Sequence, residues 1–364
     1  MTVQDVCNSM ETWAPLSWQE SYDNAGLLCG SRSQQVSGVL ISLDCTEQVV
    51  QEAIEKGCNL IVAHHPIVFK GLKSLTGKDY VERTMILAIK NDVAIYASHT
   101  NLDHAPQGVS YQLAKKLGLQ HGRVLRPFKQ ALKSLTYFVP VDAAERTRAA
   151  LHAAGAGNIG NYTDCSFSQE GTGRFTPNEA ANPTIGFSKQ PEVVKEEQIQ
   201  LIYPAHLESK VLSALKASHP YEEVAYFVNK LDNTWDEVGS GYVADLAKPM
   251  DELSFTKYLK EQLGLTHFRH TAWLGRPIHR IALCGGAGSF LLSDAIKAGA
   301  DVFISGDFKY HEFFDAENHC TICDIGHYES EVMIKDAIHT YLSNNFSTFA
   351  VLKSMTNSNP VSYA

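Results

Sequence analysis

His64 and His65 stand side by side, directly after the apolar run NLIVA (59–63) and directly before Pro66. In a regular strand, neighbouring side chains point to opposite faces, so two adjacent imidazoles reach one pocket only where the strand ends. Pro66 marks such an end, because it removes a ladder donor and restricts the residue before it. A histidine pair at a strand end is a candidate metal site, although either residue alone reads equally as an ordinary polar loop side chain. Asp103, in SHTNLDHAPQGV, follows another apolar run and by itself reads as a solvated turn aspartate. His327 and Glu331 are four apart in GHYESE, where the last helix is expected to begin. That spacing puts both on one helix face, as in helix-borne metal ligands. Glu329, between them, is explained by the preference of a helix N-terminus for acids. Nitrogen and oxygen donors without thiolate suit zinc, iron or manganese better than a soft cation.

The elements that must position these residues alternate between strand and helix. Residues 38–43, 59–63 and 93–97 read as buried strands, with a helix over 46–56 closed by Gly57. The last part of the chain repeats the plan: strands at 280–284, 301–305 and 321–325, helices at 289–297 and 330–342. Such alternation predicts parallel sheet with helical crossovers. The two parts also align without gaps, 53–65 on 295–307 and 93–103 on 321–331, which places His99 over His327 and Asp103 over Glu331. This pattern reads as an internal duplication, with chance similarity of two βα units as the alternative. Between them, 130–232 reads as βαββαβ with an extra Gly- and Thr-rich hairpin and a strand over 159–168, the ferredoxin-like plan. The expected fold class is α/β: two similar halves, 1–129 and 233–364, interrupted by an α+β insert over 130–232.

With 364 residues, 44% of them hydrophobic and 20% charged, the chain has the composition of a soluble globular protein of two or three domains. A net charge of −9 argues mildly against a nucleic-acid partner. The N-terminal residues lack the pattern of a secretory signal, and no run approaches the length of a membrane span, so a cytoplasmic location is expected. Eight scattered cysteines fit reduced thiols; Cys320-Thr-Ile-Cys323 leads into a strand and has no second pair to make a metal site with. The polar tail from Ser354 to Ala364 is the one stretch that reads as disordered.

YDNAGLLCG, IVAHHPIVFK, SHTNLDHAPQGV, CGGAGS, ISGDFKYHE and DIGHYESE, in that order through both halves, resemble the motifs of a dinuclear-metal family, the GTP cyclohydrolase 1 type 2 homologues. The insert, through GNIGNYTDCSF, GTGRFTP and HPYEEVAYFV, is similar to the PII/CutA group of ferredoxin-like domains. The resemblance implies two divalent ions, one held by His65 and Asp103, the other by His64 and His327, with Glu331 bridging. It also implies a homohexameric toroid. Two terminal ligands and a shared carboxylate per ion would leave positions open, as a catalytic site requires. His99, Asp307 and His311 are candidates for orienting the ligands or transferring protons, and Asp44 could serve similarly. His219, Glu222 and Glu223 form a polar group in the insert that a helix end and a solvated strand start explain equally well.

Two functions from different classes follow. One is a metal-dependent hydrolase of a small-molecule substrate, a nucleotide or related heterocycle; ring opening of GTP would need hydroxide attack at the purine C8. No Gly-Lys-Ser/Thr phosphate loop is present, and CGGAGS could cradle an anion or form a tight βα turn. The other is a metal-binding regulatory or metal-handling protein whose insert senses a ligand. A scaffold ring for a protein or nucleic acid is a third reading, with nucleic acid disfavoured by charge.

Overall fold

A computed structural model describes residues 1–129 and 131–362. Gln130, the expected first residue of the insert, lies outside the described residues, as do the last two residues of the tail. The chain forms two compact units, one from Met1–Pro127 together with the chain from Asp236 onward, the other from Phe128–Trp235. Among the described residues no helix is long and apolar enough to cross a membrane.

The strands in chain order are β1 (Gly26–Cys29), β2 (Gly38–Ser42), β3 (Leu60–Ala63), β4 (Ala94–Ala97) and β5 (Gln120–Lys129). In the second unit they are β6 (Leu132–Pro140), β7 (Phe167–Phe175), β8 (Glu192–Pro204) and β9 (Tyr226–Lys230). The chain returns through β10 (Thr234–Met250), β11 (Arg269–His270), β12 (Ile278–Ala287), β13 (Val302–Gly306), β14 (Thr321–Asp324) and β15 (Ala350–Lys353).

The first unit contains two sheets, ordered β1-β4-β3-β2-β15 and β11-β14-β13-β12-β10-β5. In each, three parallel strands form the centre, β2-β3-β4 and β12-β13-β14. In each, a short strand closes the edge antiparallel to the last of the three, β1 on β4 and β11 on β14. The duplicated plan is therefore visible in topology. Every residue of β2, β3, β4, β13 and β14 is buried, which is why their sequences are continuous apolar runs rather than alternating ones. Helix Glu47–Glu55 is capped by Thr46, whose side chain accepts from the Val49 amide. It ends at Gly57, whose φ of +70° is the left-handed conformation glycine adopts without steric cost. The predicted final helix is two pieces, His327–Glu331 and Ile334–Asn345. All eight cysteines are free thiols, Cys320 and Cys323 among the buried ones.

The second unit has the sheet order β7-β8-β6-β9, all antiparallel, with helix Ala144–Ala153 between β6 and β7 and helix Glu208–Ser218 between β8 and β9. This is the ferredoxin-like arrangement. Leu135, Tyr137, Val139, Ile199, Leu201 and Tyr203 pack with Leu151, Val211 and Leu215 from the helices to form its core. The strand expected over 159–168 starts only at Phe167: Ile159 and Tyr162 make an isolated bridge, and β7 runs on from Phe167 through the Gly- and Thr-rich stretch expected to be a hairpin. Gly173 has a packing reason, since a Cβ there would lie 2.1 Å from Oε2 of Glu196 on the neighbouring strand.

The tail departs from the expectation of disorder. After β15 joins β2 in parallel, Glu52 accepts hydrogen bonds from the Met355 amide (2.8 Å), the Ser354 hydroxyl (2.5 Å) and the Thr356 hydroxyl (2.7 Å). Polar composition failed as a guide because the half-buried Glu52 takes up the donors of residues 354–356. Burial of Glu52 opposes ionisation, but the bonds from Lys56, Met355, Ser354 and Thr356 outweigh it and lower its pKa to about 2. A depressed folded-state pKa means that the anchor is complete above the unfolded value of 4.5 and is lost as pH falls from there toward 2. Glu52→Ala is expected to cost about 1–3 kcal/mol and to speed amide exchange at Met355 and Thr356, read by hydrogen exchange; unchanged protection there would refute the anchor.

Candidate metal centre

His64 and His65 sit where β3 leaves its sheet. Their amides turn to the chain after β2, His64 N–H to Leu43 O at 3.1 Å and His65 N–H to the same oxygen at 2.9 Å. The pleat is broken there, and both rings face one side, 4.9 Å apart between centroids. Asp103 lies on the short helix Thr100–His104 that follows β4, and His327 and Glu331 on the short helix that follows β14. The groups therefore come from the C-terminal ends of parallel strands in both sheets, where open α/β sheets place their sites.

The Glu331 carboxylate is the meeting point. Its Oε2 lies 2.8 Å from His65 Nε2, 3.2 Å from His327 Nε2 and 3.8 Å from His64 Nε2. His64, His65 and Glu331 each offer a ligand atom within 4.8 Å of the others, a group that could hold a metal ion. Asp103 Oδ1 stands 3.6 Å from His64 Nε2, and His327 Nε2 stands 3.2 Å from His65 Nε2. His64 is thus beside Asp103 and His65 beside His327, whereas the resemblance implied His65 with Asp103 and His64 with His327.

Each of the three histidines donates its Nδ1–H to an oxygen at 2.7 Å: His64 to the Ser98 carbonyl, His65 to Asp44 Oδ1, His327 to Asp307 Oδ2. That bond fixes the ring and leaves Nε2 facing the cluster, as metal-ligating histidines are held. His64 Nε2 and Asp103 Oδ1 are buried without a hydrogen-bond partner among the described residues. Buried polar atoms are seldom left so, and both face the point where a cation would satisfy them.

The charges are strongly coupled. Burial disfavours a charged His65, yet its bonds to Asp44 and Glu331 outweigh this and raise its pKa to about 10. His327 is raised to about 9 against burial by Glu331 and Asp307. Burial, reinforced by the Glu331 charge, raises Asp103 to about 7. Burial also works against an ionised Glu331, but the surrounding imidazoles hold it well below its ordinary value. Without a metal, His65 and His327 therefore each carry a proton on the Nε2 that faces the carboxylate.

Of the further sequence candidates, Asp44 and Asp307 are the hydrogen-bond partners just described. His99 lies with its ring 5.5 Å from those of both His64 and His65. His311 is exposed, its ring against Tyr310 and Phe314, and the structure does not bring it to the cluster. In the insert, His219 donates from Nε2 to the Phe138 carbonyl and accepts the Tyr221 amide at Nδ1, which ties a loop. Glu222 accepts the Asn182 amide. Gly286 of CGGAGS makes room for the cluster: a Cβ there, at φ +62°, would lie 2.3 Å from Glu331 Oε1.

Sequence reasoning missed two residues. Asp23 accepts His99 Nδ1–H at 2.7 Å and the Thr100 amide at 3.0 Å; its burial resists ionisation, but these bonds hold it far below the carboxylate range. Its only signal was its place in YDNAGLLCG. Ser358, in the tail, donates to Asp44 Oδ2 at 2.6 Å.

Comparison with known proteins agrees with this architecture. The chain matches the Duf34/NIF3 (NGG1p interacting factor 3) family over residues 1–360. It is 36% identical over 366 residues to the GTP cyclohydrolase 1 type 2 homolog of Bacillus subtilis, covering 99% of this chain and 98% of that protein. The homolog of the same name from Halalkalibacterium halodurans is 37% identical over 365 residues, with 99% and 98% covered. A Bacillus cereus protein related to NIF3 superposes with a TM-score of 0.88 at 37% identity, covering 100% of this chain and 99% of that one. The chain belongs to the Duf34/NIF3 family.

Proposed function

We propose that the chain is a dinuclear divalent-metal protein that hydrolyses a nucleotide or related heterocycle. The observation that carries this reading is the convergence of three imidazoles, each with Nδ1–H committed outward, on one buried carboxylate. By distance, His64 and Asp103 would hold one ion and His65 and His327 the other, with Glu331 shared. Nitrogen and oxygen donors fit zinc, iron or manganese. When bound, two such ions would supply a water of lowered pKa and polarise the bond under attack.

The chain's own groups supply the rest. Asp44, Asp307 and the Ser98 carbonyl hold the ligand tautomers. Asp23, kept ionised, holds His99 Nδ1–H and leaves Nε2 free to accept or return a proton at the edge of the cluster. A cavity of about 710 Å³ opens beside His65, His327 and Asp307, within the range of small-molecule sites. Arg269 on its wall, paired with Asp324 and the Phe308 carbonyl but still exposed, offers a cation to an anionic substrate. The name shared by the relatives supports a purine nucleotide or similar ring. A homohexamer, implied by the resemblance, is part of the same proposal.

A second reading, a metal-dependent regulator without hydrolase activity, is favoured by one observation. The insert has its own cavity of about 690 Å³, walled by Phe138, Phe175 and Tyr221 and floored by the buried Glu196, which Tyr221 O–H meets at 2.9 Å.

Metal loading distinguishes the metal reading from a purely hydrogen-bonded cluster. His65 and His327, with pKa values of about 10 and 9, are protonated at pH 7 and must be displaced. With Asp103, near 7, also about half protonated, zinc titration at pH 7 should release about two to three protons per chain, seen as a dependence of the calorimetric heat on buffer ionisation enthalpy, and affinity should rise with pH up to about 9–10. Heat independent of the buffer would contradict it. A hydrolysis screen over nucleotides, cyclic amides and phosphoesters, with His64→Ala and Glu331→Ala as controls, decides between the two functions. Turnover should need both residues, and His99→Gln should lower it by about 10²–10⁴-fold with metal content intact. If the loaded protein turns over nothing that the controls do not, the regulatory reading replaces the hydrolase.

A further inference from the structure

The tail does more than anchor to Glu52. Beyond that anchor the chain continues across the mouth of the cluster: Ser358 O–H donates to Asp44 Oδ2 at 2.6 Å, and Asn359 Nδ2 donates to Glu329 Oε1 at 3.1 Å. Asp44 gives its other oxygen to His65 Nδ1 at 2.7 Å. Asn359, Pro360 and Val361 then line the 710 Å³ cavity opposite His65 and His327. A hydrogen-bonded chain thus runs from the tail through Asp44 to the imidazole beside Glu331.

Asp44 has two oxygens, and the direction in which its carboxylate faces is set by what holds each. Oδ2 is fixed by Ser358, so Oδ1 is turned toward His65 Nδ1 and the ring is held with Nε2 on Glu331. His64 has a different support, the Ser98 backbone carbonyl, which the tail does not touch. The dependence is therefore asymmetric between the two histidines. We infer that the carboxy-terminal segment 354–361 is a working part of the metal site: Ser358 is a positioning residue that, through Asp44, sets the affinity for the ion held by His65 and His327, while Asn359–Val361 wall the adjoining cavity. This rests on the dinuclear reading proposed above.

The test is competitive zinc titration of the full chain against a chromophoric chelator, resolving the two sites, with melting temperature recorded alongside. Direct loss of a ligand's hydrogen-bond partner costs about 10–100-fold in affinity, so Asp44→Ala should weaken one of two ions by that order. Ser358→Ala, one bond further out, should weaken the same ion by about 3–10-fold, and Ser358→Thr, which keeps the hydroxyl, should restore it. The other ion should be unaffected in all three variants. Ser358→Ala with two wild-type affinities would overturn the inference and leave the dinuclear reading standing. Equal weakening of both ions with a lowered melting temperature would also overturn it, since that is what a purely structural tail would give. A wild-type chain binding fewer than two ions would remove the dinuclear reading, and the inference with it.

Discussion

A carboxylate as buried as Glu331, 3% exposed, cannot remain ionised without compensating charge held at close range. Everything around it follows from that requirement. Cations must be present, whether protons on imidazoles or metal ions, and they must lie on the inner side of each ring. The rings in turn need something on their outer side, and the Ser98 carbonyl, Asp44 and Asp307 supply it. The glycine at 286 is required because any side chain would occupy the space of the carboxylate. A chain that failed to assemble any one of these layers would leave an uncompensated charge in the interior, a loss of several kcal/mol by the usual scale of such defects.

No single sheet could build this arrangement. A strand end offers two or three side chains before the chain turns away, and the cluster draws on two strand ends in each sheet: those after β3 and β4, and those after β13 and β14. Matching parallel triples, β2-β3-β4 and β12-β13-β14, present these ends. Fully buried strands fix the loop origins, and short helices that begin at once, Thr100–His104 and His327–Glu331, fix the directions of Asp103 and Glu331.

The parts legible in sequence were those governed by local physics. Buried parallel strands announce themselves as apolar runs, and the proline after His65 marks a strand end within two residues. The i, i+4 spacing of His327 and Glu331 survives because it is a property of one helical turn. What was not legible depends on distant pairing. Asp23 meets His99 across 76 residues, and Ser358 meets Asp44 across 314; nothing in a window of sequence registers either contact. Polar composition made the tail look disordered because its anchor, Glu52, lies on a helix near the other end of the chain. β7 hides for a related reason: Gly173 looks like a turn residue until Glu196 is placed beside it. His311 shows the converse, since a titratable residue within a suggestive motif can still face solvent.

The duplication is most informative where its halves differ. His99 and His327 occupy equivalent positions, and each donates Nδ1–H to an aspartate at 2.7 Å, Asp23 and Asp307 respectively. The inherited unit is therefore a histidine held by an acid at the end of the third strand. His327 directs Nε2 to 3.2 Å from both His65 Nε2 and Glu331 Oε2, whereas His99 meets the His64 and His65 rings edge-on at 5.5 Å. The partner four residues on diverges in the same sense. Glu331, one methylene longer than Asp103, comes within 3.8 Å of all three imidazoles, whereas Asp103 pairs, among the described residues, with His64, at 3.6 Å. One copy of the motif thus supplies the shared carboxylate and an inward histidine. The other supplies a shorter acid and a histidine that Asp23 holds at the edge, its ring against those of His64 and His65 rather than on the carboxylate.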